Sequence, residues 1–600
     1  MTFALLGAAL TNATVRDGIG VVYLKNQQRV TLDGVIRSGW NTHSYVLMSP
    51  AKTGPAVYWG PGSGSERFTT TSAWIVIDGE AGTPITRWNG DLASLDWVSY
   101  DLTALPYHLR RGDAGIIGVG GGRDVLSALW GGSSSITGIE INDNLLYALK
   151  GPFREFSQVA NRPEVTLMHG EARSVLSRTD RRFDILQMSL IDTWAATGAG
   201  AFTLSENGLY TIEGWRVFLG TLKPGGVFSV SRWFLPSSTS ETSRLLALGV
   251  AALLDRGVHR PQDHMVMLAK GTIATLLVSN EPFTPADRES VTRLAASQRF
   301  SVLVSPWTEP ADRWLGGIVR SGSPQELKNA IAHPVFDFSP PTDERPFFFN
   351  TMKPAGIFKA YDGPRNGVLW GNLRATFTLV LLFLIAVVLA LAIIVWPLVR
   401  SGLPTMDAGS FGMSVAYFGL IGFGYMLIQI PLLQRFSVYL GHPTYTSAVI
   451  LFSMIFFTGI GSLVSDRFPI DRNRWLLKLP ILIAALSFAL TLLIQPLMNA
   501  TIHLGLPARS LTVVACVASI AVLLGFCFPI GMSLVGRLSG DATAWMWGGV
   551  NGACGVVASI VAVAISMWLG IDVNLMIAGL LYLVLVIPAH GLARRALGAG

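Results

Sequence analysis

"AGIIGVGGGRDVLSAL", residues 114–129, decides how this chain reads. An apolar run that breaks into glycines and reopens as an amphipathic segment is a strand, a tight turn and the start of a helix. The segments that follow repeat the pattern: "SITGIEI", "DNLLYALKGPF", "EVTLMHG", "FDILQMSL" and "GWRVFLGTLKPGGVFSVSRW". Strands alternating with helices give a parallel, doubly wound sheet. Further on, "HMVMLAK" and "TIATLLVS" have no helix between them and fit an antiparallel edge hairpin.

The glycine loop is narrowed by what it excludes. A dinucleotide fingerprint needs glycine at its first, third and sixth places, which here are Gly118, Gly120 and Arg123. A P-loop needs Gly-Lys-Ser/Thr, and none follows. What remains is Gly-x-Gly-x-Gly at 118, 120 and 122, with Gly121 between. That is the spacing with which class I methyltransferase folds approach the methionine part of S-adenosylmethionine, where a Cβ would block the backbone.

Two acids strengthen this reading. Glu140 ends the next strand, where a carboxylate accepts both ribose hydroxyl hydrogens; the competing reading is a solvated loop charge. Glu171, with Ala172 beside it in "HGEARSVL", ends the third strand within reach of an adenine amino group. Arg123 opens a helix behind the glycines and is read as the partner of a donor carboxylate, against the plainer role of a surface arginine.

Composition divides the chain. Of its 83 charged residues only 15 follow Arg374, and that region breaks into seven apolar runs of spanning length at about 375–399, 410–434, 444–464, 475–498, 508–532, 543–569 and 571–592. The last two are split only by "GID", which requires a tight helical hairpin. After Arg374 ten Lys/Arg stand against five Asp/Glu, so much of the net charge of +7 lies in loops between spans, and no nucleic-acid partner is implied. The helices hold polar residues such as Gln429 and Asn551, and no span is expected to carry a buried charge. Cys516, Cys527 and Cys554 fall inside spans without CxxC spacing, so neither disulfide framework nor metal site is predicted. "MTFALLGAAL" is too short to span, lacks signal-peptide features and is taken as a buried first segment.

The boundaries that follow are a β-rich segment over 18–112, an S-adenosyl-ligand-binding Rossmann-like α/β domain over 113–350, a linker over 351–374 and an all-α transmembrane domain over 375–593. Within the first of these, "LDWVSYDLTALPYHL" reads as helix as far as Pro106.

From "SGWNTHSYV" through "IGVGGGRD", "ITGIEIN", "SLIDTWAATGAGAFTLSENGLYT" and "PTDERPFFF" to "MLIQIPLLQRFSVYLGHPTY", "FPIGMSL" and "WMWGGVNGACG", the chain resembles the membrane-fused relatives of spermidine synthase. The resemblance implies a class I methyltransferase/spermidine synthase-like transferase domain. Its co-substrate would be S-adenosylmethionine or the decarboxylated form, with no metal. Soluble spermidine synthases carry an aspartate in the glycine loop and an Asp-Ser-Ser-Asp-like stretch after the fourth strand. Laid on this chain, the loop aspartate becomes Gly121 and the first strand-end aspartate becomes Ser189, while Asp192 is kept. With two acids absent and Arg123 available, the reading favours the intact donor, with Asp192, Ser189 and Tyr210 on the catalytic side. Asp192 would orient or deprotonate the acceptor, against the plainer role of a helix N-cap. Glu206, Asp101 and Tyr107 are further candidates, and "RPFFF" at 345–349 is read as a packing seam between domain and membrane.

Three functions stand open: a membrane-held transferase moving a methyl or related alkyl group to a small-molecule or lipid-like acceptor, an aminopropyltransferase of polyamine synthesis, and a non-catalytic nucleoside sensor or transporter. The chain is expected in a bacterial-type inner or plasma membrane, with the bilayer as partner and a homodimer left open. Loop charges, eight basic residues against six, slightly favour an external soluble domain; the cytoplasmic origin of the donor favours the inside and is given the greater weight.

Overall fold

The computed structural model describes residues 2–14, 34–41, 44–79, 81–191, 206–236, 240–356, 368–441 and 443–598. Among these, two sheets precede the membrane helices. The first is antiparallel: β1 (Arg37–Trp40), β2 (Tyr45–Met48), β3 (Lys52–Pro55), β4 (Thr69–Ile77) and β5 (Ala81–Thr86), ordered β1-β2-β4-β3 with β5 also paired to β4. Two 3₁₀ runs, Leu92–Tyr100 and Leu102–His108, connect it to the second sheet. The expected helix is absent because Asp91 and Asp101 each cap a new turn, accepting from Ala93 N and Thr103 N, and Pro106 lies inside the second run.

The second sheet has eight strands: β6 (Asp113–Ile117), β7 (Ser135–Glu140), β8 (Val165–His169), β9 (Phe183–Ser189), β10 (Leu222–Trp233), β11 (Met265–Lys270), β12 (Ile273–Ser279) and β13 (Ser301–Val304). Their order is β13-β11-β12-β10-β9-β6-β7-β8, parallel from β8 to β10 and antiparallel beyond. The hairpin read from the sequence is β11–β12, and β13 lies outside it as the actual edge. Ile116, Ile136, Ile185, Leu186, Val227 and Phe228 are fully buried, because helices and the first sheet cover this sheet on both faces.

Register fixes where chemistry can occur. Ile117 pairs with Ile139 on one side and Met188 on the other, so the residues that follow, Gly118, Glu140 and Ser189, leave the sheet at one level. From β6 the chain winds to β7 and β8 in one direction, then to β9 and β10 in the other. The crevice between β6 and β9 is therefore the topological switch point of the sheet.

Among the described residues, seven helices are long and apolar enough to cross a bilayer: Leu373–Arg400, Ala408–Leu440, Thr444–Ser465, Arg474–Thr501, Leu506–Leu538, Ala542–Trp568 and Ile571–Leu597. The sixth and seventh are joined by Leu569 and Gly570 alone, Gly570 at φ 116°, as the expected hairpin requires. The second and fifth reach 33 residues, and their added turns meet the soluble domain. Arg435 and Arg509 sit on those turns at 3% and 4% exposure, which corrects the expectation that the spans bury no charge. Both are held: Arg435 by Glu344 and Asp572, Arg509 by Ser174 Oγ at 2.9 Å and Tyr439 O at 2.7 Å. Phe347 packs with Leu379 and Met567, while Phe348 and Phe349 join the soluble core, so the "RPFFF" seam straddles both halves. At the other end, Thr2–Thr14 is an exposed helix with Leu5, Leu6 and Leu10 more than half accessible, not the buried segment expected.

Candidate functional site

The glycine loop occupies the switch point. Gly118, Gly120 and Gly122 have φ of 79°, 54° and 88°, in the left-handed region that side chains avoid. Gly121 cannot be replaced for a different reason: a Cβ there would lie 2.1 Å from Pro84 O, because β5 of the first sheet lies directly behind the loop. Thr83 Oγ1 accepts from Gly121 N at 2.9 Å and holds that contact.

Glu140 organises the loop from the neighbouring strand. One carboxylate oxygen accepts from Gly120 N at 3.0 Å and the other from Asn142 N at 2.9 Å. The group is buried, which raises its proton affinity above the ordinary glutamate value, and these backbone donors offset the rise. Ile141 N and Val119 N also donate to it, so backbone donors take up the roughly four acceptor positions of the carboxylate.

Around these residues lies a cavity of about 850 Å³, within the range of small-molecule sites. Three units wall it: the first sheet through Trp74, Val76 and Thr83, the strand ends of the second sheet, and the end of the second span through Ser437, Val438 and Gly441. Glu171 and Ala172 line the wall after β8. Glu171 is neither solvated nor uncommitted: its two oxygens accept from Arg173 N at 2.9 Å and Ser174 N at 2.7 Å, capping a short helix. Gly441 packs against its side chain, where a Cβ would come within 2.7 Å of Glu171 Cγ.

Arg123 lines the cavity, yet it is buried and paired with Asp101, with its guanidinium near the rings of Tyr58 and Trp59. It is thus not a surface arginine, and its buried guanidinium nitrogens lie against Asp101 without a hydrogen-bond partner among the described residues. Asp101, also bonded by Trp59 N and Thr103 N at 2.8 and 3.0 Å, is a structural knot tying the first sheet to the glycine loop. Arg173 and Arg232, the other cations of the lining among the described residues, pair with Asp343 and Glu241.

The acid missed from the sequence is Asp124. It stands in the first turn of the helix Arg123–Trp130, is 6% exposed and faces the cavity. Burial pushes its carboxyl up to about 6, offset by a hydrogen bond from Ser189 and by Arg123. Behind Ser189 the network continues: Gln187 Nε2 donates to Ser189 Oγ at 2.9 Å, and Tyr107 Oη donates to Gln187 Oε1 at 2.6 Å. The carboxylate expected but absent at Ser189 is therefore supplied across the crevice by a residue six positions beyond Gly118. Its signal in the sequence is an acid in the first helical turn behind a glycine loop.

Tyr210 is not brought to the cavity. It is fully buried, stacks on Phe348 with centroids 4.5 Å apart, and its hydroxyl accepts from Arg232 Nη1 at 3.2 Å. Tyr107 likewise reaches the site only through Gln187. Asp192 lies outside the described residues. Glu206 does line the cavity, on the side of the second span.

Neither a protein-family model nor a curated protein sequence matches this chain. Among solved structures it is similar to a spermidine synthase from Thermotoga maritima, at 13% identity and TM-score 0.29, over 51% of this chain and 92% of that one. A probable spermidine synthase from Corynebacterium glutamicum matches at 12% identity and TM-score 0.30, over 49% of this chain and 96% of that one. Human methyltransferase-like protein 13, solved in complex with SAH, matches at 14% identity and TM-score 0.23, over 34% and 90%.

Proposed function

We propose that the chain is a membrane-held transferase that binds an S-adenosyl donor in this cavity and moves a methyl or related alkyl group to an acceptor at the membrane-facing wall. The observation that carries the reading is the glycine loop at the switch point, held by a buried Glu140 that lines the same cavity. Glu140 would take the ribose hydroxyls, Asp124 the donor's amine, and the wall at Glu171 and Ala172 the adenine. Gly121, with no room for a Cβ, suits a loop packed as closely as such a ligand needs. The bound sulfonium would supply an activated alkyl carbon. On the catalytic side, Ser189 orients Asp124, and Asp192 is assigned to orienting the acceptor.

Glu140→Ala is expected to weaken binding of S-adenosylmethionine or S-adenosylhomocysteine by about 1.5–3 kcal/mol, the range for a hydrogen-bonded charged group. Titration calorimetry giving equal affinities for wild type and variant would remove the assignment.

One observation favours a second reading, aminopropyl transfer from the decarboxylated donor. Among the described residues, each cavity arginine lies within ion-pair distance of an acid, which sets those acids in competition with the carboxylate of an intact donor. Mass spectrometry of ligand retained through purification separates the two donors. Formation of spermidine from putrescine, lost in Asp192→Asn, would make the polyamine reading the correct one.

Because the donor is made in the cytoplasm, the soluble domain is placed on that face. Protease added to intact cells is expected to leave residues 20–350 uncut, and efficient cleavage there would reverse the orientation.

A further inference from the structure

The membrane-facing wall of the cavity carries a titratable side chain that the donor assignment does not use. Glu206 lines the cavity and accepts a hydrogen bond from the side chain of Gln434, on the second span. Gln434 is six residues from the end of that span, about 9 Å along the axis at 1.5 Å per residue, and immediately precedes Arg435, which pairs with Glu344 of the soluble domain.

Gln434 is itself the end of a row. Its Oε1 accepts from the Ser566 hydroxyl on the sixth span, and Ser566 Oγ accepts from Asn574 Nδ2 on the seventh at 2.7 Å. Asn574 also donates to Ala562 O at 3.0 Å. Gln434 is 3% exposed, and Ser566 and Asn574 are fully buried. The order of donors is consistent along the row: the Asn574 amide gives to Ser566, Ser566 to Gln434, and Gln434 to the Glu206 carboxylate. Hydrogen bonds aligned head to tail polarise one another, and a row that ends on an acceptor stabilises negative charge there. A helix-packing role requires only that each polar group find a partner; it does not require three spans to direct their donors at one carboxylate.

We propose that Glu206 is the proton-accepting residue of the acceptor subsite, and that the row Asn574–Ser566–Gln434 sets its basicity from within the membrane bundle. The proposal rests on the transferase reading above. The acceptor is a protic head group, amine or hydroxyl, on a molecule that also contacts the apolar surface of Leu209 and Val438 beside Glu206. Its nitrogen or oxygen attacks the alkyl carbon on the donor's sulfonium. The new bond forms as the carbon–sulfur bond breaks, the electron pair of that bond neutralises the sulfur, and the acceptor's proton passes to the Glu206 carboxylate.

Burial pushes Glu206 up to about 7, while its own backbone N–H and then the Gln434 side chain draw it down, which holds it near the working pH of a general base. The other charged groups of the lining, Arg123, Asp124, Glu140, Glu171, Arg173 and Arg232, make no resolved contribution to this balance. The membrane elements packed nearby bring Arg435, Arg509 and Asp572, each held by partners of its own at the domain boundary.

The test uses the full chain in detergent. Infrared difference titration is expected to show a carboxyl that ionises near pH 7 in wild type, is absent in Glu206→Gln, and moves upward by about one unit or more in Gln434→Leu, because loss of an N–H donor favours the neutral acid. Asp124→Asn and Glu344→Gln identify the other carboxyls that burial brings into this range. Glu206→Gln should retain affinity for S-adenosylhomocysteine within about twofold, while thioether release from S-adenosylmethionine in native membranes falls by about 10²–10⁴. If the signals that remain after Asp124 and Glu344 are assigned include one that survives Glu206→Gln or ignores Gln434→Leu, the proposal is overturned, as it is by full turnover in Glu206→Gln. If wild type fails to bind S-adenosylhomocysteine, the transferase reading itself falls, and the infrared titration still decides whether the row controls Glu206.

Discussion

Arg435→Met is expected to lower the stability of the full chain by about 3–5 kcal/mol, the cost of removing one partner from a buried charge cluster. Arg435 leaves the second span to meet Glu344 of the soluble domain and Asp572 at the first turn of the seventh span. It also donates to Asp343 O at 3.0 Å. Glu344 in turn accepts from Asp572 N at 2.6 Å, and its own carbonyl accepts from Ile571 N at 3.0 Å. Without the guanidinium, two carboxyls face each other with no cation between them. The sign of the pH dependence follows from Glu344, which burial already pushes up to about 7 against an ordinary 4.5. An acid with a raised folded-state value binds its proton more tightly when folded, so stability falls as pH rises from the unfolded value through the folded one. Loss of Arg435 raises that folded value further. The deficit should therefore be larger at about pH 8.5 than at about pH 6, where proton uptake by Glu344 relieves it. Apparent melting temperatures at both pH values measure this, and Glu344→Gln in the Arg435→Met background should recover part of the loss. A single variant that melts with the wild type at the higher pH would show that this cluster does not join the two halves.

The same cluster marks where the sequence stops being legible. Strands β6 to β9, the glycine loop and all seven spans follow from local periodicity and length, because each is decided by residues a few positions apart. The expected place of Glu140 also held, since a residue ending the strand beside a glycine loop has little freedom to go elsewhere. Arg435 and Glu344 are 91 residues apart and Arg509 and Ser174 are 335 apart, and nothing in the local pattern pairs them. Arg123 fails for a related reason. An arginine at a helix start behind a glycine loop suits an anion, but Asp101, reached only once the first sheet folds over the loop, takes it. Tyr210, a candidate on the catalytic side, is drawn into the core by the aromatic run at Phe348 and Phe349, more than a hundred residues further along the chain.

Asp124→Asn is expected to stabilise the unliganded protein while weakening its hold on the donor. Burial raises the Asp124 carboxyl from 3.8 to about 6, so above that pH the folded state carries a charge that the unfolded chain ionises more readily. About two pKa units correspond to about 3 kcal/mol, an upper bound on what the charge costs the empty fold at neutral pH. Asparagine removes that cost, and its carbonyl can still accept from Ser189. The apparent melting temperature should therefore rise above about pH 6, and the difference should vanish toward about pH 4, where the aspartate is protonated in the fold. The donor's amine needs the charge that the empty fold disfavours. Replacing a charged hydrogen bond by a neutral one should raise Kd for S-adenosylmethionine by about 10–100-fold, or about 1.5–3 kcal/mol. Wild-type affinity should also fall as pH drops through about 6, and that dependence should be absent in the variant. Opposite movements of melting temperature and affinity in one protein are what a binding acid predicts and a structural acid does not. If Asp124→Asn lowers both, Asp124 is part of the scaffold and the donor's amine is held elsewhere.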